Sequence, residues 1–470
     1  MKPFRHQLAA LEKSKASKSF GYFMDCGTGK TFTSILKIQT EGCDRVLVTT
    51  LNSIKYVWQR ELFKCGEHSV AVCEGHSSVD KKIKTLQQGR RWNIINYESL
   101  ISDKLFEFLL RWQFDGWILD ESTAIKNPKA KRTKRSHKLA SQIQTRLLLT
   151  GTPMPDPLAV WAQMYVVDSR ILGTNYYAFC SRYAVFEERY VGRSRPIKQV
   201  VGYQNVDELI KKIEPLVFFC KKEDCLDLPP KTYEVREVEP TPELLSAYKG
   251  LSEDFFATLK NNDIVTADNA MAKATYLQQM LGGVVRSQDH NNGADKTQHI
   301  KENKSKALLE VLDEIGAGRK AVVFCRYLFE IHYLQQVLKS EGYGVAVIQG
   351  DVEPQRRDDI AQSFNAGDDV RVLLCQSRTA GYGIDLTGAN YIVFYSNDWS
   401  VITRMQDEDR CHRQGQNWPV TIIDIVTKLP PEQFGPGVLA LDEMVYRALM
   451  EKKNFEDYIK KIKWEGGEDL

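Results

Sequence analysis

From Gly21 onward, short apolar runs alternate with amphipathic stretches of helical spacing. Val46-Leu47-Val48, Ile94-Ile95 and Trp117-Ile118-Leu119 are apolar and too short for helices, so they predict buried strands with helices between them. Strands that alternate with helices and lack a polar face predict a parallel sheet covered on both sides. The pattern resumes with Ala321-Val322-Val323-Phe324, Val345-Ala346-Val347-Ile348, Val372-Leu373-Leu374 and Tyr391-Ile392-Val393-Phe394, which predict a second sheet of the same class.

Between the two series, residues 160–300 are less regular and rich in aromatic and charged positions. Leu228-Pro229-Pro230 interrupts them, and two successive prolines make a stiff extended connector. The expected division is 1–228 and 229–470. A helical protrusion is expected after residue 155, a helical insertion over about 240–300, and a charged C-terminal helix from Leu441 to about Lys463. His290-Asn291-Asn292-Gly293-Ala294-Asp295 reads as an exposed loop.

The length of 470 residues allows two or three cores. A hydrophobic content of 43% and a charged content of 27% are those of a globular protein, and a net charge of +3 confines any nucleic-acid surface to a local patch. The ten cysteines contain no CxxC pair, and reduced thiols are expected, with zinc at Cys220 and Cys225 the lesser alternative. No apolar run approaches the roughly 20 residues of a membrane span, and no signal peptide is legible, so a soluble intracellular protein with no membrane partner is expected.

Asp25-Cys26-Gly27-Thr28-Gly29-Lys30-Thr31 follows a strand signal and precedes a helical pattern. Glycines at 27 and 29 let backbone amides, Thr28 included, turn toward phosphates, Lys30 can reach the β/γ-phosphates, and the Thr31 hydroxyl can ligate Mg²⁺. Met24 stands where the simplest form of the pattern has its first glycine. Asp120-Glu121 closes an apolar run: the aspartate suits a metal, and the glutamate can polarise an attacking water. Capping of the next helix is the alternative use of these acids. Arg410 and Arg413 are three apart, which on a helix points both the same way, and guanidinium groups suit developing phosphoryl charge.

These strings, with Leu149-Thr150-Gly151-Thr152-Pro153 and Asp409-Arg410-Cys411-His412-Arg413-Gln414-Gly415-Gln416, resemble the superfamily 2 helicase-like ATPases, and among them the Swi/Snf branch of duplex-DNA translocases. The resemblance runs from about residue 3 to about residue 430. Gln7 resembles the adenine-reading glutamine, and Leu47-Val48-Thr49-Thr50 with Trp58 and Glu61 is similar to the next motif, with Thr50 in place of the usual proline. Asp120-Glu121-Ser122-Thr123 with Ile125-Lys126-Asn127 resembles the acidic box, and Lys222 to Lys231 resembles the linker of this branch. Ser377 to Leu386 resembles the motif that touches both DNA and nucleotide. The resemblance implies an α/β chain of two RecA-like parallel-sheet domains with helical insertions between them. It implies ATP and Mg²⁺ as cofactors, with Thr31 and Asp120 on the metal, and nucleotide contacts from Gln7, Gly27, Thr28, Gly29, Lys30, Thr31, Gly383, Asp385 and Gln406. Lys30, Asp120, Glu121, Arg410 and Arg413 are the implied catalytic set. Asp120-Glu121-Ser122, and Leu149 to Pro153 followed by Leu158 and Tyr165, are most similar to the annealing-helicase group, although Thr123 and Asp385 replace a usual histidine and asparagine.

Lys126 to Lys138 is the densest basic run, suited to sequence-independent phosphate contact, with a solvated helix face as the alternative. Arg326, Arg356 and Arg357 are further candidates. The expected function is an ATPase that translocates on or remodels duplex or branched DNA as a monomer, cytoplasmic, or nuclear in a eukaryote. A strand-separating helicase on DNA or RNA and an ATP-sensing subunit of a larger restriction or repair complex are the alternatives.

Overall fold

The computed structural model describes all residues except 1, 76, 152, 155, 190–196, 261–266, 289–294, 368, 378–383, 435–437 and 452–470. The exposed loop expected at His290 to Asp295 therefore lies almost wholly outside the described residues, as do Gly383 and the end of the C-terminal helical pattern. The chain forms two compact units, the first containing residues 1–187 and 200–227, the second 188–199 and 228–453.

The first unit is built on β1 (Ser19–Met24), β2 (Val46–Thr50), β3 (Val70–Val72), β4 (Trp92–Asn96), β5 (Gly116–Asp120) and β6 (Thr145–Thr150). A hairpin of β7 (Ala184–Arg189) and β8 (Ile197–Tyr203) follows, and β9 (Val217–Cys220) then joins the sheet. The seven strands lie in the order β3-β4-β2-β5-β6-β1-β9, with all pairings parallel. Because neighbouring side chains point to opposite faces, Leu47 and Val48, or Leu148 and Leu149, enter different cores: one face holds Phe23, Leu47, Leu119 and Leu148, the other Tyr22, Val48, Ile118 and Leu149. That two-sided burial is why these runs carry no polar alternation. The short β3 stands at one edge and is partly exposed.

The second unit begins with β10 (Lys231–Val238), followed by helices Pro242–Lys260 and Ala267–Leu281 and the antiparallel hairpin of β11 (Val284–Gln288) and β12 (Asp295–His299). Its sheet adds β13 (Ala321–Cys325), β14 (Val345–Ile348), β15 (Val372–Gln376), β16 (Tyr391–Phe394) and β17 (Val420–Thr427), in the order β10-β17-β16-β13-β15-β14 and again wholly parallel. Val323, Leu374, Val393 and Ile423 fill one face, and Val322, Leu373, Ile392 and Ile422 the other.

Of the helical region expected after residue 155, helix Val160–Val167 lies in the core of the first unit. Trp161 packs there against His137, Tyr165 and Tyr176. Trp161, Tyr165 and Tyr176 are packing groups. Cys220 and Cys225, the pair considered for zinc, come close where β9 runs into the short helix Lys222–Cys225, with Cα atoms 7.0 Å apart. The other eight cysteines are free.

Candidate active site

The carboxyl ends of the parallel strands in the first unit bring the sequence candidates together, as the strand direction dictates. β1 delivers the loop Asp25 to Gly29, and helix Lys30–Glu41 starts directly after it. Gly27 and Gly29 take φ of +84° and +83°, a region that a side chain disfavours, and so turn the loop amides inward. A Cβ on Gly29 would lie 2.1 Å from Gln7 Nε2. Gln7 is buried, donates from Nε2 to the Thr28 carbonyl at 3.1 Å and accepts from Phe4 N–H at 2.9 Å. His6 Nε2 meets the same Thr28 carbonyl at 2.8 Å. The Lys30 ammonium is held over the loop by the carbonyls of Met24 (2.8 Å) and Asp25 (3.2 Å). The residue that departs from the simplest pattern, Met24, thus contributes its backbone and keeps its side chain in the core.

β5 ends in Asp120, which lies two strands from β1 with β6 between them. Its carboxylate accepts from Trp58 Nε1 at 2.7 Å, Thr50 Oγ1 at 3.0 Å and Glu121 N–H at 3.1 Å, and Tyr97 Oη donates to its carbonyl at 2.8 Å. Burial raises its pKa above the usual carboxylate range, against the opposing pull of Trp58 and the Lys30 charge. Glu121 has φ of +49° and ψ of +57°, a left-handed conformation uncommon for a non-glycine residue. Ser122 Oγ donates to Gln163 Oε1 at 2.7 Å, and Gln163 Nε2 donates to the Pro153 carbonyl at 2.7 Å. One buried side chain ties the acidic box to the Leu149–Pro153 string, whose Thr152 lies outside the described residues.

These residues fit Mg-ATP. The left-handed glycines open amides to phosphates, Lys30 supplies one cation, and Thr31 and Asp120 offer hard oxygens. No group of three or more His, Cys, Asp or Glu stands ready for a metal among the described residues.

In the second unit, helix Val401–Cys411 carries Gln406 and Arg410. Arg410 is 3% exposed. The expectation that Arg410 and Arg413 share one helical face is corrected: the helix ends at Cys411, and Arg413 follows the cap residue His412 in a turn closed by Gly415 at φ +102°. The Gln416 amide stops the helix by donating to the carbonyls of Cys411, Ala389 and Thr387. Arg404, on the same helix, pairs with Asp424 and Glu408 and stacks 3.5 Å from the centre of the Phe394 ring. Burial opposes its charge, but the two carboxylates hold it firmly cationic. Asp385 accepts from Thr387 N–H and Oγ1 on the exposed surface.

The basic run divides. Lys126, Lys129, Lys134 and Lys138 are exposed and make no ion pair among the described residues, whereas Lys131 and Arg135 pair with Asp103 and Arg132 with Glu98. Arg326 bonds Gln278 and lies over Tyr327, and Arg357 donates to the Gly350 carbonyl, so both are internal groups. Arg356 is exposed. His6, Tyr97 and Gln163 were not legible as site residues, since each acts through a partner at least 20 positions away in sequence.

The SNF2-related domain family matches residues 17–296, and the helicase conserved C-terminal domain matches residues 303–415. The chain belongs to the SNF2-related family. Among curated proteins it is 25% identical to human TATA-binding protein-associated factor 172, over 86% of this chain and 25% of that one. It is 25% identical to an uncharacterized ATP-dependent helicase of Mycoplasma genitalium, over 92% of this chain and 40% of the relative. A DNA repair and recombination protein of Saccharomyces cerevisiae is 24% identical, over 82% and 44%. The chain thus spans less than half the length of these relatives. Of solved structures, the Sulfolobus solfataricus SWI2/SNF2 ATPase core in complex with dsDNA is 21% identical with a TM-score of 0.42, covering 98% of this chain and 95% of that one. Among the described residues, no helix is long and apolar enough to cross a membrane.

Proposed function

We propose that this SNF2-related chain hydrolyses ATP in response to duplex or branched DNA and uses the cycle to translocate on or remodel it. The observation that carries the reading is the set gathered at the strand ends of the first unit: the glycine-opened loop with Lys30, and Asp120-Glu121 held by Trp58 and Thr50. A pure scaffold has no use for an ammonium fixed over a glycine-opened loop and a buried carboxylate held by three donors at the same strand ends.

Mg-ATP, when bound, supplies the phosphoanhydride and the metal charge; the remaining work falls to the chain. Lys30 and the loop amides neutralise phosphate oxygens, Gln7 orients the base side, and Asp120 with Thr31 anchors the cation. Glu121 accepts a proton from the attacking water. Arg410 and Arg413 spread the charge that develops on the transferred group. Lys126, Lys129, Lys134 and Lys138 offer exposed cations for backbone phosphates, a contact without sequence preference. The names of the yeast recombination protein and of the Sulfolobus core with dsDNA agree with a DNA partner, and the annealing-type strings favour branched substrates.

The test is steady-state ATPase activity with no nucleic acid, single-stranded DNA, duplex DNA, forked DNA and duplex RNA, beside Lys30→Ala and Glu121→Gln. Stimulation by duplex or forked DNA that both variants abolish is expected. Stimulation chiefly by single strands or RNA moves the assignment to a strand-separating helicase, and no stimulation by any of them removes the motor reading.

A further inference from the structure

We propose that β10, the first strand after Leu228-Pro229-Pro230, positions the arginine-bearing helix Val401–Cys411. Lys231, Tyr233 and the Pro229 carbonyl then act on Arg410 and Arg413 through Glu408 and His412. The inference rests on the ATP-hydrolase reading above and extends it to residues outside the catalytic set.

β10 is an edge strand, paired only with β17, and most of its residues are exposed. Lys231 and Tyr233 are two apart and therefore share a face. Both reach the same oxygen: Lys231 Nζ lies 3.2 Å, and Tyr233 Oη 2.9 Å, from Glu408 Oε2. Glu408 is fully buried on the arginine helix, and its other oxygen accepts from Arg404 Nε at 3.0 Å. One residue upstream of β10's Lys231, the chain runs through Pro230, and the Pro229 carbonyl before it meets His412 Nε2 at 2.8 Å. Lys231 also lies 3.9 Å from Asp409. The contacts fall on 408, 409 and 412, so they bracket Arg410 and end next to Arg413.

A staple for the sheet edge would need none of this. Eight paired residues already hold β10 to β17. Taking a lysine and a glutamate out of water costs nearly as much as their attraction returns, so a buried ion pair is a poor source of stability and a good source of register. Tyr233 makes the same point, since the residue is 43% exposed while its hydroxyl reaches the buried Glu408. The chain that crosses from the first unit enters the second at Leu228. A displacement of that crossing segment is therefore transmitted to Glu408 and His412 through groups one to five residues away. This makes the connector a setting device for the arginines.

The experiment measures kcat and KM for ATP with duplex DNA, and the melting temperature, for the full chain carrying Tyr233→Phe, His412→Ala or Thr232→Ala. Thr232 alternates to the other face of β10, where it bonds Thr421. Loss of one hydrogen bond at a positioning group, to the buried Glu408 carboxylate in Tyr233→Phe and to the Pro229 carbonyl in His412→Ala, is expected to lower kcat about three- to tenfold, with KM within about twofold. Thr232→Ala is expected to behave as wild type. In an Arg410→Lys background, Tyr233→Phe is expected to lower kcat no further, because the group it positions has already been altered. An unchanged kcat in Tyr233→Phe overturns the proposal. So do losses that simply multiply in the double variant, or a rise in KM at constant kcat. If wild-type activity does not depend on Lys30, the ATP-site reading itself has failed; Lys30-dependent activity indifferent to Tyr233 rejects the positioning role alone. Should His412→Ala not fold, Tyr233→Phe, which keeps the ring, decides.

Discussion

Gly29→Ala and Gly42→Ala place the same methyl group at two left-handed positions of the first unit, and only Gly29 lies against a buried side chain, Gln7. Gly29 has φ of +83° and Gly42 +69°, so both substitutions incur the left-handed penalty of about 1–2 kcal/mol. At Gly42 a new Cβ meets nothing within 4 Å, and that penalty is the whole cost. At Gly29 the Cβ arrives 2.1 Å from Gln7 Nε2, well inside contact distance. Gln7 must swing away and lose its bonds to Thr28 and Phe4, each worth about 1 kcal/mol when a partner stays buried. The expected excess for Gly29→Ala is therefore about 2 kcal/mol. For a unit of this size that corresponds to a melting point roughly 4–8 °C below that of Gly42→Ala. Titration of each variant with a fluorescent ATP analogue and Mg²⁺ supplies the functional readout. Gly42→Ala is expected to bind as wild type. Gly29→Ala is expected to bind at least about tenfold more weakly, because the methyl group both intrudes on the phosphate nest and displaces the residue on the base side. If Gly29→Ala melts and binds like Gly42→Ala, the placement of Gln7 against the loop is wrong, and its nucleotide role goes with it.

Trp58→Phe keeps the core ring but removes the donor to Asp120, and a hydrogen bond to a buried carboxylate is worth about 1.5–3 kcal/mol. DNA-stimulated kcat is expected to fall at least about tenfold with the fold intact by circular dichroism; an unchanged rate would refute the holding role of Trp58. Glu330 is fully buried, with Oε1 against Gly282, and burial pushes its pKa up to about 7 from an ordinary 4.5. The folded state therefore keeps its proton to higher pH than the unfolded state, so this group lowers stability as pH rises from 4.5 to about 7 and adds nothing further above. Glu330→Gln is expected to raise the melting temperature at pH 8, by no more than about 3 kcal/mol equivalent, and to leave it unchanged near pH 4.5. A gain of the same size at both pH values would rule out the linkage. Lys129→Glu with Lys134→Glu is expected to weaken duplex binding uniformly across sequences and to flatten the salt dependence by about two charges; an unaltered slope in a filter-binding series would move the DNA surface elsewhere.

The sequence by itself determined the parts of this protein whose information is contiguous. A run of two to four apolar residues between amphipathic stretches is too short for a helix and reads as a strand buried on both faces, so β2, β4, β5, β13, β14, β15 and β16 could be read directly. The phosphate loop was legible for the same reason, since glycine, lysine and threonine act there as consecutive backbone and side-chain groups. Tertiary structure decided what depends on distant partners. β10 alternates charged with apolar residues and gives no buried-strand signal, because it lies at an edge and is mostly exposed. The three-residue spacing of Arg410 and Arg413 implied a common helical face, yet Gln416 and His412 end the helix between them through bonds to carbonyls that local spacing cannot reveal. Gln163 and Tyr233 are ordinary residues in sequence, and the bond of Trp58 to Asp120 likewise exists only in the fold. Parallel strands pair across a whole helix or more, so the hydrogen bonds that hold these groups within each unit join residues tens to nearly two hundred positions apart. Such pairings leave no periodic trace in the chain.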